Sequence, residues 1–224
     1  MALFLMAHFL MIPDWFIDFS IGMDFLYAIV CGIVAYSAFK VYNLAGEKGI
    51  RMFGMGFSSI AFSCILRAIL EYLVFKESGS GEVNLVNLSL YTIWGIYFYM
   101  ALFIVGLVTI AYATFGIRSR RVYSLLLVTN LLVFYFCSDK SLIFYVLSSL
   151  LLLYIAAHYV LEYWKHKNWK TAMVLAAFVL LFLTFALLSV GDSYSDFVIA
   201  SFVELCAYLL ILASLLCTLR KKKK

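Results

Sequence analysis

The chain has 224 residues, 66% of them apolar and 13% charged, with a formal net charge of +5. A soluble domain carries roughly 45–50% apolar and about 25% charged residues, so a water-soluble globule is excluded for want of polar surface, and a disordered chain for want of charge. At about 20–25 residues per membrane-crossing helix the length holds seven or eight spans and no sizeable extramembrane domain. Function therefore resides in the bundle or in a separate partner chain.

In chain order, residues 1–14 begin with MALFLMAHFLMI, which is apolar but too short to span, and Pro13-Asp14 separates it from the run that follows. An interfacial segment is expected there. No Lys or Arg precedes Lys40, so the stretch lacks the basic start of a secretory signal and is expected to be retained. Apolar runs then follow at 16–42, 51–75, 85–115, 121–138, 141–164, 170–190 and 196–219. They predict seven transmembrane helices in a domain over residues 15–219, closed by a basic tail at 220–224. The runs are continuous and do not alternate in about ten-residue pieces, which excludes a β-barrel. The expected fold class is all-α, an integral membrane seven-helix bundle.

Basic residues sort by loop. Lys40, Lys48 and Arg51 lie between runs one and two; Arg118, Arg120 and Arg121 between three and four; Lys165, Lys167 and Lys170 between five and six; Arg220 and Lys221 to Lys224 after seven. All four places fall on one side of a seven-span serpentine. The other side carries Asp14, Glu77, Glu82, Asp139, Asp192 and Asp196, with Lys76 and Lys140 as its cations. The positive-inside rule then places the N-terminus outside and the C-terminus in the cytoplasm. The expected location is the cell membrane, multi-pass, with the lysine tail anchored on anionic lipids of the cytoplasmic face. In a eukaryote the same lysines match a dilysine retrieval signal of the endoplasmic reticulum. No nucleic-acid partner is expected.

Tyr42 to Leu66 can be aligned with Tyr163 to Leu187, setting Tyr42 on Tyr163 and Phe57 on Phe178. One reading is a 3+1+3 arrangement, two parallel triple-helix units joined by helix four. The other is the general likeness of any two basic loops between apolar helices. Both stand at this point.

Ionisable residues inside apolar runs cost a few kcal/mol on insertion scales and are the first candidates for function. Asp24, Arg67, Glu71 and Glu204 lie at similar depth toward the outer side. Arg67 and Glu71, at i and i+4, share a face that Ser63 and Ser59 extend inward. Ser201, Glu204 and Tyr208 share a face in the last run, as do Asn87, Tyr91 and Trp94 in the third. Asp24, Arg67, Glu71, Asn87, Tyr91, Trp94, Glu204 and Tyr208 thus form a candidate ligand site in the outer half. The bland alternative is a packing salt bridge, Arg67 with Glu204 or Asp24. Three carboxylates to one guanidinium leave two acids to be protonated, hydrated or met by a cation. Asp24, nearest to a shift into the interface, is the weakest member. Arg67 is expected to pair with Glu204. Asn130 reads as a helix-helix hydrogen bond, Gly54 and Gly56 as points of close helix approach, and Trp15, Tyr72, Trp164 and Trp169 as an aromatic belt.

The five cysteines stand singly, and the three histidines are too few and too separated for bis-histidine haem ligation. HExxH and GxSxG patterns are absent, and the last run has no lysine for a retinal Schiff base. No catalytic residue, metal or cofactor is therefore expected, and the protein is not expected to be an enzyme. Pro13 is the one proline, so no helix carries a Pro-dependent midplane break, which counts against transport.

The stretch AYSAFKVYNLAGEKGIRMFGMGFSSIAFSCILRAI, about a sixth of the chain, resembles the first loop and second helix of uncharacterised prokaryotic, particularly archaeal-type, seven-helix membrane proteins and of sensor modules fused to signalling domains. The resemblance implies membrane sensing and carries over no functional residue. No output domain follows Arg220, so a separate cytoplasmic signalling partner is expected. The leading expectation is a sensor or receptor-like protein binding a small ligand or ion in the outer cluster. The alternatives are a small 3+1+3 transporter or channel, or a structural membrane protein.

Overall fold

The computed structural model describes residues 14–78, 85–116, 119–190 and 194–221, with side chains over 19–73, 94–116, 119–189 and 196–217. The interfacial segment expected at 1–14, the acidic loop positions Glu82 and Asp192, and the last three lysines of the tail lie outside the described residues or side chains. All described secondary structure is helical: α1 Asp14–Ala45, α2 Lys48–Ser78, α3 Leu85–Phe115, α4 Arg120–Phe136, α5 Lys140–His166, α6 Trp169–Val190 and α7 Tyr194–Lys221. In hydrocarbon every backbone polar group must be satisfied within the segment, and uninterrupted apolar runs free of proline allow this.

Six of these helices are long and apolar enough to cross a membrane, over Phe19–Ala45, Lys48–Leu73, Trp94–Phe115, Lys140–His166, Trp169–Ser189 and Asp196–Cys217. The protein is a multi-pass membrane protein by that measure. The exception, α4, has 17 residues, about 25 Å of helical rise. Most helices run past their apolar segments because flanking polar residues continue the helix beyond the hydrocarbon. The opposite holds for α4, which stops at Phe136 with Cys137 already extended. The Lys140 ammonium closes that end, donating to the carbonyls of Phe134 (3.1 Å), Tyr135 and Cys137 (2.7 Å). A cation at orphan C-terminal carbonyls is favourable on both hydrogen-bonding and dipole grounds.

Helix neighbours define a closed ring in the order α1, α2, α3, α5, α6, α7 and back to α1, with α4 outside it against α3 and α5. The ring interior is packed by the largest buried side chains, among them Phe57, Ile60, Leu107, Ile155, Phe178 and Ile211. Between α2 and α3 the backbones touch: a Cβ on Gly56 would lie 2.9 Å from the Gly106 carbonyl oxygen, and one on Gly106 would lie 2.9 Å from that of Gly56. A Cβ on Gly54 would lie 3.3 Å from the Ala38 Cβ of α1. Lipid offers no hydrophobic drive between helices, so close van der Waals contact of this kind carries much of the association.

Two turns on one side have the same form. Gly46 at φ +70° receives the chain from α1 with its N–H donating to Tyr42 O at 2.8 Å, and Lys167 at φ 43° receives it from α5 with its N–H donating to Tyr163 O at 2.7 Å. The left-handed residue is cheap for glycine and costs about 1 kcal/mol for lysine. Asn130 departs from expectation. Its amide donates to Leu126 O at 2.7 Å within α4 itself, because α4 stands outside the ring and the i−4 carbonyl is the acceptor within reach.

Candidate ligand-binding cavity

Six helices each turn a short face toward one point of the ring. From α1 come Ser20, Asp24 and Tyr27, spaced one and two turns apart; from α2, Ser63 and Arg67; from α7, Phe197, Ser201 and Glu204; from α3, Tyr99 and Phe103; from α5, Phe144 and Tyr145; from α6, Phe185 and Leu188. The space open to the centres of water molecules is about 40 Å³. A water needs roughly 10–15 Å³ of such space, so the cavity holds about three.

Its charged wall is built around Arg67. The Arg67 Nε lies 3.0 Å from Glu71 Oε1 and 3.1 Å from Asp24 Oδ2. That nitrogen carries one hydrogen and donates it to Glu71, whose other oxygen accepts from Ser20 Oγ at 3.0 Å. Asp24 is thus held by charge alone: its Oδ2 is buried and has no hydrogen-bond partner, although the residue is only 2% exposed. The Arg67 guanidinium carbon also sits 6.0 Å over the Tyr99 ring. Tyr27 ties α1 to α7 by donating to Ser201 O at 2.6 Å, and its ring lies 5.4 Å from that of Tyr208.

Opposite this wall is an aromatic one. Ring centroids of Phe103 and Phe185 are 5.3 Å apart, Phe103 and Phe144 5.5 Å, and Tyr145 and Phe185 6.1 Å. Toward the basic loops the ring interior closes on Phe57, Ile60, Leu107 and Phe178.

Asp24, Arg67 and Glu204 line the cavity as the sequence placed them. Asp24 is the most buried of the charged residues there, contrary to its expected marginal position. Glu71 lies behind Arg67 and orients it. Tyr208, 1% exposed, packs against Tyr27 beneath the cavity and is not part of its lining. Trp94 is 68% exposed and is not part of the cavity lining. The side chains of Asn87 and Tyr91 lie outside the described residues. The expected pair of Arg67 with Glu204 is not formed: α1 stands between α2 and α7 in the ring, so the α1 acid reaches Arg67 first. Among the described residues Glu204 has no ion pair, and its neighbour is the Tyr208 hydroxyl one turn on.

Ser20, Tyr27 and the aromatic wall escaped the sequence reading. Ser20, Asp24 and Tyr27 share a helical face, a signal that could have been found. The rings of α3, α5 and α6 carried no signal in a chain that is 18% aromatic. No family model, curated protein or solved structure matches the chain.

Proposed function

We propose that the protein is a seven-span, non-enzymatic membrane sensor or receptor-like protein of the cell membrane, with its N-terminus outside and its C-terminus cytoplasmic. A small ligand or ion binds in the cavity around Asp24, Arg67 and Glu204, and the change passes to a separate partner at the basic loops, which rest on anionic lipid. The observation that carries this reading is a polar cavity closed toward the basic side by packed apolar residues. Buried charge in a bundle is expensive, and a site walled off on one side binds without providing a path.

The orientation is supported by charge: fourteen of the seventeen Lys and Arg residues collect at the basic ends, and inversion would translocate them. A reporter fused after Lys224 is expected in the cytoplasm. In a background without other cysteines, Ser201→Cys is expected to react with a membrane-impermeant thiol reagent from the outside. Protection from that side, with labelling from the cytoplasm, would reverse the assignment.

A small transporter built 3+1+3 is the second reading, favoured by one observation. In the register that sets Tyr42 on Tyr163, the left-handed Gly46 meets the left-handed Lys167, and Lys48 meets Trp169 at the starts of α2 and α6. The buried Met23, Val34 and Phe57 meet the equally buried Phe144, Ile155 and Phe178. Parallel repeats of this kind occur in transporters. Uptake of a bound solute into liposomes separates the readings, since a sensor binds without flux.

A further inference from the structure

The lining hydroxyls of α1, α2 and α7 give away their protons. Ser20 Oγ donates to Glu71, Ser63 Oγ to Ile60 O at 2.8 Å, Ser201 Oγ to Phe197 O at 3.0 Å and Tyr27 OH to Ser201 O. Each of these oxygens is left with lone pairs, so the wall formed by α1, α2 and α7 presents acceptors around the Arg67 guanidinium. Two carboxylates stand in it, Asp24 with an oxygen lacking any hydrogen bond and Glu204 without an ion pair among the described residues. Asp24, Glu71 and Glu204 outnumber the single Arg67, so this wall favours a ligand that donates hydrogen bonds and carries positive charge.

The opposite wall selects among cations. A metal ion asks for oxygen, nitrogen or sulfur on several sides, and among the described residues no cluster of three His, Cys, Asp or Glu could hold one. Here one side is lined by the rings of Tyr99, Phe103, Phe144, Tyr145 and Phe185. Ring faces attract an organic cation and pack against its methyl and methylene groups.

We propose that the cavity binds a small primary alkylammonium cation, its nitrogen between Asp24 and Glu204 and its carbon chain against the aromatic wall. This rests on the reading of the cavity as a ligand site. Room for about three waters is room for about three non-hydrogen atoms, the size of ethylammonium. So few atoms bind with a Kd of about 1 mM at best.

The test is the thermal stability of the purified full chain in nanodiscs, titrated with methyl-, ethyl- and butylammonium chloride. Ethanol, propionate and sodium chloride at matched ionic strength serve as neutral, anionic and alkali-metal comparisons. Ethylammonium is expected to raise Tm saturably, while ethanol, propionate and sodium do not. Glu204→Gln keeps the side chain's shape and is expected to weaken the response about tenfold. Glu162→Gln, at the far end of α5, removes the same charge elsewhere and is expected to leave it unchanged. Should Glu204→Gln lose its fold, Phe185→Leu, which thins the aromatic wall, is expected to weaken ethylammonium more than methylammonium. A wild type that ignores all three ammonium ions, or responds equally to sodium, overturns the proposal. If propionate or sodium then acts through Glu204, or Ser201→Cys labels from outside, the ligand-site reading survives it; if neither occurs, both fall.

Discussion

The α1–α2 pair and the α5–α6 pair cross the bundle in similar fashion and are fastened by different chemistry. Between α1 and α2 the contact is made by small residues, with Gly54 on Ala38, and by the ion pair of Asp24 with Arg67 at 3.1 Å. Between α5 and α6 it is made by rings: Tyr159 stacks on Phe178 with centroids 5.4 Å apart, and Phe144 meets Phe185 edge-on at 5.9 Å. In lipid both solutions supply the close packing that replaces a hydrophobic drive. They differ in tolerance. A ring contact loses little when one ring shrinks, whereas a buried charge that loses its partner keeps an uncompensated desolvation cost. The first pair therefore concentrates both the polar chemistry and the fragility, and the second supplies a smooth wall.

The contrast is broken most severely by Arg67→Met, which leaves Asp24 buried without a counter-charge. A loss of about 3–5 kcal/mol is expected, read as folding stability in detergent or nanodiscs. Adding Asp24→Asn to that variant should recover part of the loss, because the two changes act on one interaction and are not additive. If the double variant is as unstable as the sum of the singles, the ion pair is not what joins α1 to α2. Next comes Gly56→Ala, whose new Cβ would lie 2.9 Å from the Gly106 carbonyl and force α2 from α3; about 1–3 kcal/mol is expected. Gly106→Ala should match it, since the contact is reciprocal. On the aromatic side Phe178→Leu is expected to cost about 1 kcal/mol, and a larger loss would show that the ring pair is as brittle as the charged one. The smallest effect belongs to Asn130→Ala, below about 0.6 kcal/mol, because its amide bonds within its own helix outside the ring.

The candidate site was legible where charge made it conspicuous. Asp24, Arg67 and Glu204 stand out in apolar runs because hydrocarbon tolerates few ions. Their partners did not, because depth along a helix is readable from residue spacing while the angular position of one helix around another is not. Arg67 and Glu204 agree in depth, yet α1 lies between their helices, and the acid judged marginal became the buried partner. Trp94 fell on a readable face of α3 and yet stands exposed, apart from the cavity.

The sequence by itself determined the all-helical class, the seven apolar runs that become helices and the segregation of basic residues, since these follow from one-dimensional quantities: run length, proline placement and charge position against hydrocarbon thickness. Only the tertiary structure decided that six helices close a ring with α4 outside it, that Gly56 meets Gly106, and that a charged wall faces an aromatic one. Those outcomes depend on which faces interlock, and almost every face in this chain is apolar. Shape complementarity then chooses among arrangements that hydrophobicity cannot tell apart.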